Sequence, residues 1–266
     1  MTRGNPHCRH EAKPGKGTHR NSYWLYGKHA VSAALANPER KLLRLWLVNT
    51  RHPEPKVKDP MLQEILRSSQ NDKVEYVDAR RFDTILPPDT PHQGIAAEVL
   101  PLAAKSLQDI ANLRRIMVLD QVTDPHNVGA ILRSCAAFGA DALVMPKDHS
   151  PEEGGALAKA ASGALEAVPV VKVTNLVSAL KELKAQGVWL LGLDGKAKLH
   201  LHDAPGYDKV ALVMGAEGAG LRRLTQEHCD LLVSLPISSK VESLNVSNAA
   251  AIALYALSAG ISKVSK

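Results

Sequence analysis

Three polar runs stand out in this chain because each places charged or hydrogen-bonding side chains directly after a short apolar segment. The first, residues 120–134, sets Asp120, Asp124, His126, Asn127 and Arg133 around Pro125 and Gly129. Asp124-Pro125 marks a turn, and Asn127 stands where a helix N-cap is expected, a role that needs no further function. Arg133 follows in a helical run otherwise made of Val128, Ile131, Leu132, Ala136 and Phe138. A guanidinium in such company either snorkels to solvent or pairs with an anion, and beside a strand end a phosphate fits. The second run, 214–221, surrounds Glu217 with Gly215, Gly218 and Gly220. Glycines let backbone approach a ligand closely. Their G-x-x-G-x-G spacing is neither a dinucleotide fingerprint nor a P-loop, and the carboxylate among them repels phosphate. A neutral-to-cationic ligand without phosphate is better served. The third run, 235–248, carries Ser243, Asn245, Ser247 and Asn248, more hydrogen-bonding groups than one helix start uses.

The elements that must hold these runs are legible in the apolar pattern. From residue 115, strand-like runs at 116–120, 142–145, 168–173, 188–193, 210–214 and 231–235 mostly alternate with helical runs at 128–138, 155–165, 176–185, 221–227 and 246–258. Continuous apolar strands separated by helices predict a parallel sheet covered on both faces. Ligands of such sheets sit beyond the carboxyl ends of the strands, where all three polar runs fall. Residues 22–100 hold shorter runs at 28–36, 42–48, 61–68, 74–77 and 94–99, punctuated by prolines, and read as a small α/β unit. Residues 101–108 read as a linker and 109–266 as the second domain.

At 266 residues, 45% apolar and 23% charged, the chain has material for one large domain or two modest ones with a real core. Its longest nearly apolar stretch, 249–261, falls short of the ~18 residues of a membrane span. The amino terminus lacks the apolar segment of a secretory signal, so a cytoplasmic protein without a membrane partner is expected. Cys8, Cys135 and Cys229 are too few for a disulfide framework or a four-cysteine zinc site, and His7, Cys8 and His10 make too weak a cluster for a metal. Four of the six net positive charges lie in residues 1–21, which have almost no apolar content and read as a flexible basic arm. On charge alone, a solubility tail and a nucleic-acid tether are equally good readings of it. Aromatics at 4% argue against modules that read bases by stacking.

Taken together, Asp124-Pro-His-Asn-Val-Gly129 through Arg133, Gly215-Ala-Glu-Gly218 and Ser243-Leu-Asn-Val-Ser247 resemble, in order and spacing, the motifs of the SpoU/TrmH family of SPOUT RNA methyltransferases. Tyr26-Gly27-Lys28-His29-Ala30-Val31 and His92-Gln93-Gly94-Ile95-Ala96 resemble the substrate-binding domain of its larger members, which is similar to ribosomal protein L30e. The resemblance implies a small L30e-like N-terminal domain, a C-terminal parallel-sheet domain with a trefoil knot, S-adenosylmethionine as cofactor, no metal, and a homodimer. The knot runs against the usual rules of chain topology and is implied by the resemblance alone. The activity implied is 2′-O-ribose methylation of a guanosine in 23S ribosomal RNA. Carried over residue by residue, the catalytic set is Asn127, Arg133, Glu217, Ser243 and Asn245, and the cofactor contacts are Gly195, Gly215, Leu235 and Leu244. Two positions depart from the pattern: Gln121 and Ser239 stand where the family frequently has glycine. For Arg133 the family suggests a general base, but deprotonating a guanidinium near neutral pH costs roughly 7–9 kcal/mol, which favours a charge clamp. Competing readings are the same chemistry on transfer RNA, a non-catalytic ribosome-assembly factor, and an oxidoreductase, which the missing dinucleotide fingerprint disfavours.

Overall fold

The computed structural model describes residues 19, 21–49, 63, 65, 67 and 73–261. The basic arm lies almost wholly outside the described residues, as does most of the helix expected at 61–68. Two sheets organise the rest. In the first, β1 (Tyr23–Tyr26), β2 (Leu42–Val48), β3 (Val74–Val77) and β4 (Ile95–Val99) take the order β1-β4-β2-β3, with α1 (Lys28–Ala36) between β1 and β2. Strand β4 is buried along its whole length, as the central position of a small sheet demands.

The second sheet has seven strands: β5 (Arg115–Asp120), β6 (Ala142–Pro146), β7 (Val170–Val173), β8 (Trp189–Leu193), β9 (Leu199–His200), β10 (Val210–Gly215) and β11 (Leu231–Ser234). Their order is β7-β6-β5-β10-β8-β11-β9, and every pairing is parallel. The side-chain period of two divides β5 between two cores. Met117 and Leu119 join the cluster that includes Val128, Ile131 and Leu132 of α2 (Pro125–Ala137), Leu157 of α3 (Gly155–Ala161) and Ala250 of α7 (Val246–Ile261). Ile116 and Val118 join the opposite cluster with Leu180 and Leu183 of α5 (Leu176–Ala185). The parallel α/β reading of the sequence is therefore correct. No helix among the described residues is long and apolar enough to cross a membrane.

Several boundaries differ from the sequence reading, for local reasons. Helix α2 starts at Pro125, not at 128, and its N-cap is Asp124, whose side chain accepts from His126 N at 2.9 Å. Proline suits the first helical position because it has no N–H to leave unsatisfied. Asn127 is therefore not the cap; it lies inside the first turn with its amide free for other duties. The run 155–165 is broken at Ser162 and Gly163, both at positive φ, which separates α3 from the single turn α4 (Ala164–Ala167). Helix α6 (Arg223–His228) starts two residues later than expected. The stretch 101–108 is not slack: Lys105 bridges to Val171 of β7, and Ser106 and Asp109 form a reciprocal capping box.

Helices α2 and α3 meet at Gly129, where a Cβ would stand 2.5 Å from Ala160 Cβ and 2.6 Å from Leu157 O. Gly129 thus serves packing rather than ligand approach. Gly129→Ala is expected to destabilise the protein by about 1–3 kcal/mol, read as a lowered melting temperature. Gly195→Ala, with nothing within 4 Å of the added atom, leaves the melting temperature unchanged.

Candidate active site

Strands β10, β8 and β11 are neighbours, so the segments that leave their carboxyl ends form one rim. Gly195 follows β8, Gly215 ends β10 and Leu235 follows β11, which places three of the four expected cofactor contacts side by side on that rim. The turn after β8 is closed by Ala197 N donating to Asp194 O at 3.1 Å and Lys196 N to the Asp194 carboxylate at 2.8 Å. The turn after β10 closes more tightly. Gly220 N donates to Ala216 O at 2.9 Å, and Gly218 and Gly220 both take positive φ. A Cβ on Gly215 would overlap the carbonyl of Gly220, so only glycine allows the return of this loop. Leu235 and Leu244 are half-buried apolar residues on the segment between β11 and α7.

What binds the three polar runs together is Asn245. Its Oδ1 caps α7, accepting from Ser247 N at 2.9 Å and Ser247 Oγ at 2.6 Å. That commitment fixes the amide orientation and turns Nδ2 outward. Nδ2 donates to Asn127 Oδ1 at 3.1 Å and to Glu217 Oε2 at 3.3 Å. One residue from each run therefore meets at a single amide. Glu217 is exposed and Asn127 half-buried, so the cluster faces the open rim rather than the core.

The remaining two expected catalytic residues are not drawn into this cluster. Arg133 lies on the exposed side of α2, and its side chain forms no hydrogen bond or ion pair with any described residue. Of its apolar neighbours, Val128, Ile131 and Leu132 are buried on the core side, whereas Ala136 shares the exposed face with Arg133. Ser243 is exposed, in the loop that leads to α7. The two departures from the family pattern also resolve differently. Gln121 takes φ 62°, the backbone state that glycine occupies freely, whereas Ser239 keeps an ordinary φ.

Asp120 was visible at the start of the first run but its role was not. It ends β5 beside Gly215 in register and is fully buried. Its carboxylate accepts from Thr225 Oγ1 at 2.7 Å, from Arg222 Nε at 2.7 Å and from Arg222 N at 3.2 Å, with Arg222 Nη2 at 2.6 Å. The far end of the glycine-rich loop is thereby fastened to the centre of the sheet. The partners are 102 and 105 residues away along the chain, so spacing carries no signal of them. Burial, with neighbouring charge, pushes the Cys229 thiol close by up to about 12, so this cysteine stays a thiol and is no nucleophile at neutral pH.

The rim suits S-adenosylmethionine. It offers backbone groups from three adjacent strands, apolar surface from Leu235 and Leu244, and the Glu217 carboxylate, which favours a cationic ligand. Among the described residues, no group of His, Cys, Asp and Glu is arranged to hold a metal ion. Asp120→Ala leaves the buried Thr225 hydroxyl without an acceptor, while the half-exposed Arg222 regains water. The expected loss is about 1–3 kcal/mol in chemical denaturation, with Asp120→Asn costing less.

Comparison with known proteins bears on the family and the fold. Residues 114–255 match the model of the SpoU rRNA methylase family, and residues 24–104 match that of the RNA 2′-O ribose methyltransferase substrate-binding domain. A 23S rRNA (guanosine-2′-O-)-methyltransferase RlmB of Haemophilus ducreyi is 40% identical over 238 residues, covering 87% of this chain and 95% of that protein. The RlmB of Escherichia coli K12 is 38% identical over 247 residues, covering 88% and 97%. Among solved structures, the SpoU methyltransferase AviRb from Streptomyces viridochromogenes in complex with AdoMet superposes with a TM-score of 0.77 at 22% identity, over 92% of this chain and 91% of that one. The AdoMet-bound rRNA methyltransferase from Sinorhizobium meliloti gives 0.73 at 22% identity, over 91% and 88%. With residues 114–255 matching its model and a relative 40% identical over 87% of the chain, this chain belongs to the SpoU rRNA methylase family.

Proposed function

We propose that the protein transfers the methyl group of S-adenosylmethionine to the ribose 2′-oxygen of a guanosine in 23S ribosomal RNA. The observation that carries this reading is the Asn245 amide, which joins Asn127 and Glu217 on the rim where the cofactor loops converge. The cofactor, when bound, supplies an electrophilic methyl on a sulfonium. The protein's task is then to hold the 2′-hydroxyl in line and to give its proton a path to water. Gly195, Gly215, Leu235 and Leu244 hold the cofactor, and Asn127, Glu217 and Asn245 orient groups around the reacting atoms. Ser243, exposed at the rim, offers a hydroxyl for the departing proton. Arg133, exposed and free of partners among the described residues, clamps a phosphate of the substrate and stabilises the developing oxyanion. Two similar solved structures, titled for 2-OH methylation on tRNA and for a tRNA modifying enzyme, each cover 57% of this chain. The N-terminal domain, residues 22–100, therefore favours ribosomal RNA, which it would bind while the basic arm, 1–21, adds salt-sensitive affinity. A cytoplasmic location follows from that substrate.

The protein incubated with S-adenosylmethionine and 23S ribosomal RNA should methylate one guanosine, mapped by mass spectrometry of RNA fragments. No methylation, or tight NAD binding without response to S-adenosylmethionine, would defeat the proposal. Asn245→Asp keeps the helix cap but replaces the donor by a carboxylate facing Glu217. Turnover should fall on the order of 100–1,000-fold. Arg133→Lys should keep part of the activity that Arg133→Ala loses, with cofactor affinity unchanged in both. If the acid limb of the pH–rate profile moves down by about one unit or more in the lysine variant, Arg133 is a base and not a clamp.

The same reading includes a homodimer built on α7. Its Ala250, Ala253 and Leu254 face the core, while Ile252 and Tyr255 are 47% and 61% exposed on the outer side. Tyr255 makes an edge contact with Phe138, so the exposed apolar surface runs from α7 onto the end of α2. Light scattering should give twice the chain mass for the protein and a monomer for Tyr255→Glu; a monomeric mass for the unaltered protein excludes the dimer.

A further inference from the structure

Away from the rim, a buried polar cluster joins the two domains. Arg40, just past α1 in the N-terminal domain, has a side chain only 1% exposed, and both of its carboxylate partners belong to the other domain. Nε donates to the two oxygens of Glu166 at 3.1 Å each, and Nη2 to Glu166 Oε1 at 2.7 Å. Nη1 donates to Glu153 Oε1 at 2.6 Å, to Leu100 O at 2.8 Å and to the Tyr23 hydroxyl at 3.1 Å. The carboxylates are satisfied in turn: Tyr23 Oη donates to Glu153 at 2.6 Å, Leu102 N to Glu153 at 3.3 Å and Asn37 Nδ2 to Glu166 at 2.7 Å. The planar fork of arginine fills all three nitrogens here; a lysine ammonium has neither the shape nor the reach of directions. Strand β1, the end of α1, the stretch 100–102 and both ends of the α3–α4 unit are thus fastened to one guanidinium.

The neighbouring contacts are close. A Cβ on Gly155 of α3 would overlap the Trp24 carbonyl, and one on Gly163 would stand 2.9 Å from Ala33 Cβ of α1. The same α3 packs on α2 at Gly129, two residues from Asn127. A continuous path of packed, paired groups therefore runs from the N-terminal domain to the first residue of the catalytic cluster.

We propose that Arg40 is a positioning residue: by pairing with Glu153 and Glu166 it locks the N-terminal domain at one orientation on the α3–α4 unit, and this orientation selects which nucleotide of the bound RNA reaches Asn127 and Asn245. The proposal rests on the RNA methyl-transfer reading above. A purely structural role of Arg40 within its own domain would leave that selection untouched, because the two domains would keep their relative placement.

The test compares the full-length protein with Arg40→Ala, Arg40→Lys and a neutral variant, Arg40→Met with Glu153→Gln and Glu166→Gln, which leaves no buried charge unpaired if the alanine variant fails to fold. Small-angle scattering should show a larger radius of gyration for Arg40→Ala and for the neutral variant. With 23S ribosomal RNA their KM should rise about tenfold or more, and methylation should spread to neighbouring guanosines. On a short RNA carrying only the target nucleotide, kcat should stay within about threefold of the unaltered protein, because the reacting groups are intact. Calorimetric S-adenosylmethionine affinity should not change, and Arg40→Lys should restore part of the selectivity. An unchanged scattering profile, KM and methylation site in the folded variants would overturn the proposal. If the unaltered protein methylates no ribosomal RNA, the functional reading fails by itself, and scattering still decides whether Arg40 holds the domains together.

Discussion

The Nδ2 group of Asn245 has two acceptors, Asn127 Oδ1 and Glu217 Oε2, and they come from segments that leave different strands of the sheet. Loops at a strand edge have few apolar contacts of their own, so their relative placement depends on polar links of this kind. The link is directional because Oδ1 is already engaged in capping α7 through Ser247. An aspartate would cap as well but has no hydrogen to donate; a serine is too short to do both. Asparagine is thus required by geometry as well as by chemistry. The cluster connects the start of the last helix, the glycine-rich turn and the first turn of α2 in one hydrogen-bonded unit.

Beneath this exposed link lie the buried constraints that make it possible. Asp120 holds the end of the glycine-rich loop from the sheet side through Arg222 and Thr225. Gly215 allows the loop to fold back on Gly220, and Gly129 lets α3 approach α2 closely enough to fix the helix that carries Asn127. A buried carboxylate is costly unless its lone pairs are filled, and here the charged and hydroxyl donors fill them. The rim is therefore held by the protein's own buried contacts, with Glu217 exposed on it.

The domain contact follows the same logic at larger scale. The apolar part of the interface, around Ala33, Trp24, Gly155 and Gly163, gives closeness without much direction. Direction comes from the Arg40 fork and its two carboxylates, which satisfy one another only in one geometry. Burial works against the Arg40 charge, but the hydrogen bonds to Glu166 and the nearby carboxylates outweigh it and raise its proton affinity above that of an ordinary guanidinium. The stretch between the domains takes part as well, since Leu100 and Leu102 offer backbone groups to this network.

By itself, the sequence determined the parallel α/β class, the seats of most strands and helices, and the three runs that assemble the rim. These follow from local information: apolar runs of strand length, helical spacing, and glycine or proline at the turns. The family motifs were legible for the same reason, being short and contiguous. Tertiary structure alone decided which polar residues meet. Asn127 reads locally as a cap, and only the preference of Pro125 for the first helical position moves the cap to Asp124 and frees the asparagine. Arg133 reads as set among apolar neighbours, yet the helical turn buries Val128, Ile131 and Leu132 and leaves the arginine on the exposed side. Asp120 finds its partners 102 and 105 residues on, and Arg40 finds its own 113 and 126 residues on, across a domain boundary. A hydrogen bond depends on distance and angle in space, and no spacing in the chain encodes either once the path between two residues crosses a sheet.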